Sequence, residues 1–305
     1  MHASWMPART VGAMAIGLAW VLGAQAAVVF VDDNAPPGGN GQTWATAYTY
    51  LQDALTAALN SGGTITEVWV AAGTYRPNRD NAHPNGTGSR TATFQLINGV
   101  AIYGGLAGTE DPVTFNLADR DFQANQTILS GDLAGNDGPD FANNDENSYH
   151  VVTGSGTGAT AVLDGVTVTG GNANGSTDAD KRGGGIVNTG GSPTLSNCTL
   201  VGNSATGYSS GLGGGMYNAT SNPTLTNCVF SGNWAGSEGG GMYNSSSNPA
   251  LTGCTFNGNW AGGGGGGMCN ESSGGLSLNN CTFSRNGAWD GSGGAILNGS
   301  SSSPW

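Results

Sequence analysis

Three groups of side chains in this sequence have the types and the spacing to do chemistry. The first is a row of aromatics, Tyr208, Trp234, Trp260 and Trp289. Trp234 and Trp260 each follow an asparagine directly and stand 26 residues apart. A row of flat rings offers apolar faces on which a sugar ring stacks; the competing reading is that the rings cover one another and the edge of the fold. The second is the stretch GDLAGNDGPDFANNDENSYH at 131–150, which holds Asp132, Asp137, Asp140, Asp145 and Glu146 among several asparagines. Oxygen donors without His or Cys suit Ca²⁺, and we assign the candidate ligands to Asp132, Asp137, Asp140 and Asp145, although the spacing is not that of an EF-hand loop. The alternative is a polar excursion that feeds the next strand. The third is Lys181-Arg182 beside Asp178 and Asp180, read as a solvated charged loop in preference to a cation poised over a carboxylate.

No catalytic set accompanies these groups. Glycoside hydrolysis needs two carboxylates placed together. Downstream of residue 190 the only acids are Glu238, Glu271 and Asp290. No catalytic residue is assigned, and no cofactor is expected beyond Ca²⁺. The chain is strongly acidic, with 20 Asp and Glu against 8 Lys and Arg and a net charge of −12. Such a charge disfavours nucleic acid and anionic membrane surfaces as partners.

The elements that must hold these residues come from an internal repeat. The hexapeptides GGGIVN (183–188), GGGMYN (213–218 and 239–244), GGGMCN (265–270) and GGAILN (293–298) recur in phase with a second motif, Leu195-x-x-Cys198-x-Leu200-x-x-Asn203. That motif returns as Leu225, Cys228, Phe230, Asn233; as Leu251, Cys254, Phe256, Asn259; and as Leu278, Cys281, Phe283, Asn286. A degenerate copy is Leu163, Val166, Val168, Gly171. Within a copy, Cys and Phe are two apart and share a strand face, whereas Leu to Cys and Phe to Asn have the wrong parity for one straight strand. The chain must bend at both places. Three short strands per repeat of ~26 residues then make one coil of a parallel β-helix. Leucine-rich repeats and propeller blades have the wrong period or need helices.

Stacked coils turn each motif position into a column. Cys198, Cys228, Cys254 and Cys281 form a thiol column, with Cys269 outside it in the outward place held by Tyr217 and Tyr243. In-register neighbours point the same way, which is poor disulfide geometry, so free buried thiols are expected. The absence of CxxC pairs and nearby His disfavours a metal cluster. Asn203, Asn233, Asn259 and Asn286 should form an amide ladder. The hexapeptide should be a strand with Met inward and its Asn in a turn. Between the ladder asparagine and the next Gly-Gly the length varies, so the variable loops share one side of the solenoid, the usual binding face.

Upstream the repeat fades. Residues 1–26 carry Arg9, an apolar stretch from Val11 to Gly23 and the end Ala24-Gln25-Ala26, which describes a signal peptide and an exported protein. No later stretch is apolar enough to span a membrane. We expect an N-terminal strand and capping helix at 27–62, the helix running from Thr46 to Leu59 with Tyr48, Leu51, Leu55 and Leu59 on one face. Irregular coils with long loops should fill 63–160 and regular repeats 161–305.

The segments VFVDDNA, WATAYTYLQDAL, VWVAAGTYRP, AIYGGLAGTE, TILSGDLAGND and LDGVTVTGG resemble the N-terminal part of bacterial right-handed β-helix proteins of the pectin-lyase-like superfamily. The alternation of GGG-hydrophobic-x-Asn with Phe-x-x-Asn is similar to the repeats of chlamydial polymorphic outer membrane proteins. The resemblance implies an all-β, right-handed parallel β-helix. It implies a secreted or cell-surface, adhesin-like module that binds extracellular polysaccharide or a surface protein, or else a polysaccharide lyase or glycoside hydrolase. The polymorphic proteins end in a membrane barrel. The final SSSSPW (300–305) leads us to expect that a barrel, anchor or sorting signal has been lost or lies beyond it.

Overall fold

The computed structural model describes residues 1–2, 27–207, 209–291 and 293–299. The segment expected to be a signal peptide, apart from Met1 and His2, lies outside the described residues, as do Tyr208 and 300–305.

The chain winds into an all-β solenoid with four parallel sheets. The Leu sheet has eight strands, from Ala27–Val31 to Ser277–Asn279. The Phe sheet has seven, from Gly73–Tyr75 to Thr282–Ser284, and the hexapeptide sheet seven, from Phe94–Gln95 to Ile296–Asn298. The fourth, the Trp sheet, has five strands of two residues each, from Asn172–Ala173 to Gly287–Ala288. The three strands read from the repeat are therefore joined by a fourth, too short to show a period of its own.

Each bend is made by one residue with positive φ. Gly165, Asn197, Asn227, Gly253 and Asn280 turn the chain from the Leu to the Phe sheet, each one position before the Val or Cys of the motif. Gly170, Gly202, Gly232, Gly258 and Arg285 make the next corner, just before the ladder position. Glycine and asparagine tolerate this region with least strain. The hexapeptide glycines have three separate reasons. The first has φ between +63° and +74° in all five copies. A Cβ on the second would fall within 2.1–2.8 Å of a neighbouring backbone atom, and on the third about 2.5 Å from the next coil's carbonyl oxygen. The copy with alanine third is in the last described coil, where Ala295 has no described coil following it.

Registered stacking fills the interior with columns. Phe230, Phe256 and Phe283 stack with centroids 4.5 and 4.6 Å apart and planes within 4°. Met216, Met242 and Met268 pair in register and are fully buried. All five cysteines are free. Hydrogen bonds from the Cys198 and Cys254 thiols, reinforced by burial, hold the Cys228 thiol far above its ordinary value. Cys269 is outward-facing but only 2 % exposed, because it joins Tyr217 and Tyr243 in a satellite cluster under the variable loops.

There are two amide ladders. In one, Asn203 Nδ2 donates to Asn233 Oδ1, Asn233 to Asn259 and Asn259 to Asn286, at 3.1, 2.9 and 3.0 Å. Each Nδ2 also donates to the preceding coil's carbonyl, such as Leu200 O or Phe230 O. The second runs through the hexapeptide asparagines, Asn188 to Asn218, Asn244, Asn270 and Asn298, at 2.8–2.9 Å. These asparagines are members of the strands and not turn residues, buried in every copy but the last, Asn298: Asn218 is two positions from inward Met216 and shares its face.

The capping helix is present but shorter than read. Helix α1 spans Leu51–Asn60 and buries Leu51, Ala54, Leu55 and Ala58 against the first coils, while Leu59 is left 68 % exposed. Thr46 belongs to a separate 3₁₀ turn, Trp44–Thr46, capped by Thr43. Tyr48 is extended because it bridges Val31, its N–H donating to Phe30 O and its carbonyl accepting from Asp32 N. Sheet pairing overrides helix propensity there. Gly62 and Gly63, both with positive φ, follow the helix end.

Candidate functional site

The variable loops link the Trp sheet to the hexapeptide sheet, and the candidate site lies on that corner. Trp234 and Trp260 are the first residues of Trp-sheet strands and pair in register, one coil apart. The next residue in this column is Gly287, and the Trp260 ring lies over it, 2.6–2.7 Å from where a Cβ would stand. A side chain at 287 would push the indole off. Trp260 is 43 % exposed and Trp289, two residues beyond Gly287, 73 %. Trp234 is half-buried. Three of the four expected aromatics thus fall along one corner; the fourth, Tyr208, is outside the described residues.

A second feature lies around the same corner, where sequence reasoning did not look. The outer face of the hexapeptide sheet carries a groove of about 510 Å³. Its floor holds Thr153, Val187 and Tyr217, outward residues paired in register on successive strands, with Thr93, just before the first strand, hydrogen-bonded to Thr153. Its rim holds Tyr149 and His150 and, beside them in the next coil, Asp180 and Arg182 from the longest variable loop. That loop is not a freely solvated charged excursion. The Arg182 guanidinium lies 5.5 Å from the Tyr217 ring centroid, Nη1 donates to the Tyr217 hydroxyl at 3.4 Å, and Nη2 stands 3.8 Å from Asp178. Arg182 Nε is buried with no hydrogen-bond partner among the described residues. In the coil before it, Arg90 lies 4.4 Å over the Tyr149 ring.

His150 donates from Nδ1 to Gly183 O at 3.0 Å. Burial pushes its imidazole below the ordinary value, against the Gly183 bond and the Asp180 charge, which pull it up. A neutral ring whose Nδ1 holds the proton leaves Nε2 as an acceptor. The floor continues past the groove as Tyr217 and Tyr243, stacked at 5.7 Å, and Tyr243 hydrogen-bonds to Glu271. The sequence signals for this groove were the outward parity of Tyr217 and the unusual length of the loop carrying Arg182; they are 35 residues apart, and only the coil brings them together.

The structure divides the four expected Ca²⁺ ligands. Asp132 and Asp137 come together, with carboxylate oxygens within 4.8 Å of each other and of Glu146. Asp140 and Asp145 do not join them and are exposed. Asp140, Phe141 and Asn143 all have positive φ, and this tight reversal turns the middle of the loop outward. Asp132 Oδ1 accepts from Gly135 N and Asn136 N, and Oδ2 from Asp137 N. Burial pushes the Asp137 carboxyl up to about 6, opposed by the Asn147 hydrogen bond and helped by the charges of Asp132 and Glu146.

A family of sequences described as the right handed beta helix region matches residues 141–304, more than half of the chain. The chain belongs to the right-handed β-helix family. No curated protein and no solved structure matches it. Within this right-handed β-helix the match covers the regular coils, both ladders, the tryptophan row and most of the groove, and begins inside the acidic loop. Among the described residues no helix is long and apolar enough to cross a membrane.

Proposed function

We propose that this β-helix is an exported or cell-surface module that binds an extended glycan without cleaving it. The observation that carries the reading is the groove over the hexapeptide sheet. It is concave and lined by two tyrosine rings, threonine hydroxyls and a guanidinium, the mixture of flat apolar and fixed polar groups that small-molecule and sugar sites use. The tryptophan row lies on the adjoining corner, in coils further along the solenoid. A polysaccharide array probed with the full chain tests this reading. Binding should be lost in the Arg182→Ala and Tyr217→Phe/Tyr149→Phe variants and weakened in Trp260→Ala/Trp289→Ala. Binding that survives all of these sinks the assignment.

A polysaccharide lyase or glycosidase is the second reading. The specific observation behind it is His150, whose Nδ1 donates to Gly183 O and leaves Nε2 to accept, on the groove rim beside Asp180 and Arg182. Release of unsaturated or reducing ends from acidic polysaccharides, abolished in His150→Gln, supports cleavage. Binding without release of ends supports the non-catalytic module.

A further inference from the structure

Glu146, Asn147 and Ser148 are consecutive, and each buries a side-chain oxygen that no donor among the described residues reaches: Glu146 Oε1, Asn147 Oδ1 and Ser148 Oγ. Buried polar atoms are nearly always satisfied. A run of three orphan acceptors in a row needs a cause.

Asn147 is 1 % exposed, and its amide is directed at the acidic cluster. Its Nδ2 donates to Asp137 Oδ2 at 2.7 Å and to Gly170 O at 2.7 Å, which fixes the amide's orientation, because both partners only accept. The orphan Oδ1 sits on the same carbon. The three carboxylates of Asp132, Asp137 and Glu146 come together on the side of Asp137 to which this amide is bonded, and no described Lys or Arg forms an ion pair with any of them. Arg76 comes near, but its Nε is taken by the backbone carbonyl of Asp132. Three carboxylates and an unpaired amide oxygen are thus gathered here, and the one described guanidinium whose charge acts on Asp132, that of Arg76, makes no ion pair with it.

We propose that Asp132, Asp137, Glu146 and Asn147 Oδ1 bind a calcium ion that locks the 131–148 loop onto the turn at Gly170. The donors are all hard oxygens, which excludes the soft-metal choices, and Ca²⁺ accepts an irregular set of 6–8 oxygens where Mg²⁺ demands a strict octahedron. Four protein oxygens leave the remaining positions for water. This ligand set replaces Asp140 and Asp145, the outward pair, with Glu146 and Asn147. The ion would join the start of the loop, through Asp132, to its end, through Glu146 and Asn147. Tyr149 and His150 of the groove follow directly, so the metal would also fix that part of the groove rim. The proposal does not depend on what the groove binds.

The test uses the full chain, dialysed against EDTA and titrated with CaCl₂ by calorimetry. A dissociation constant of about 10⁻⁴–10⁻³ M is expected, as for extracellular modules. Asp137→Asn and Glu146→Gln should each weaken binding at least ~10-fold, a charged ligand being worth a decade or more, whereas Asp145→Asn leaves it unchanged. No heat with wild-type protein up to about 10 mM Ca²⁺, ten times the weakest such site, overturns the proposal, and so does an equal affinity for Mg²⁺. If the ligand variants do not fold, hydrogen exchange on the wild-type chain decides. Ca²⁺ should slow amides 132–148 and not those of the other long loop, 107–125. Uniform or absent protection overturns the site.

Discussion

Between Thr194 and Asn298, neighbouring coils touch through like residues: phenylalanine on phenylalanine, methionine on methionine, asparagine on asparagine. Between Ala27 and Asp164 the same task falls to single long side chains, each used once. Arg120 Nε donates to Leu117 O, its Nη1 to Gly104 O, and its Nη2 pairs with Asp164 at 3.0 Å. Arg90 ties Asn147 O to Asn172 O and Asn174. Gln52 on α1 reaches Pro77 O and Thr93 O. Both halves meet the same demand, that buried carbonyls find donors. A repeat meets it with one solution copied at every coil. Long loops of unequal length need a separate solution for each. The regular half therefore spreads its stability over many equivalent contacts, and the upstream half concentrates it in a few arginines.

That contrast can be broken by mutation, and the largest effects should come first. Arg120→Ala removes one partner of a pair in which the guanidinium side chain is only 4 % exposed. Leaving Asp164 with only its Asn197 bond, and the Leu117, Gly104 and Asp164 carbonyls without this donor, should cost about 3–5 kcal/mol in urea unfolding. Phe256→Ala, in the middle of its stack, should cost a similar ~3–5 kcal/mol. Here the double variant Phe230→Ala/Phe256→Ala should cost less than the sum, because the two share contacts. Asn244→Ala breaks a ladder at one rung and strands the amides on both sides. A loss of about 2–3 kcal/mol is expected from the unpaired buried groups, and Asn233→Ala should match it if the two ladders are equivalent.

A smaller effect is pH-dependent and belongs to the junction between the halves. The folded state holds His150 below its ordinary value, so it binds fewer protons than the unfolded chain. This contribution is fully present above about pH 6.5, the ordinary value for histidine. It should be lost as pH falls below that. Unfolding midpoints between pH 7 and 5 should decline in the wild type and lose this part of the slope in His150→Gln. The smallest effect on stability should come from Trp289→Ala, within about 0.5 kcal/mol for an exposed side chain, although glycan binding should suffer.

Much of the regular half was legible in the letters. The parity of Leu, Cys, Phe and Asn located two corners per coil, and the residues just before Cys198 and Asn203 are the ones with positive φ. The same parity rule, applied to Met216 and Asn218, would have placed the hexapeptide asparagines inside a strand. The two-residue Trp-sheet strands escaped because two residues carry no period. The start of α1 escaped because Tyr48 is claimed by Val31, a partner 17 residues back. The groove and the acidic cluster were hardest, since both join residues from different coils or from the two ends of a loop. Asp140 and Asp145 match Asp132 in composition, but three left-handed residues turn that part of the loop away.

The ladders also bear on descent. Every amide in a column gives one bond to its neighbour and takes one, always in the same direction. The head of the hexapeptide column, Asn188 Oδ1, is left unmatched against the bare Cα of Gly154, and that cost is paid once. Copying or excising a 26-residue coil changes the number of matched amides but not the number of unmatched heads. Unequal recombination between two hexapeptides should therefore yield offspring whose polar interiors are already complete, so chain length can drift in such a lineage without a new folding problem being solved.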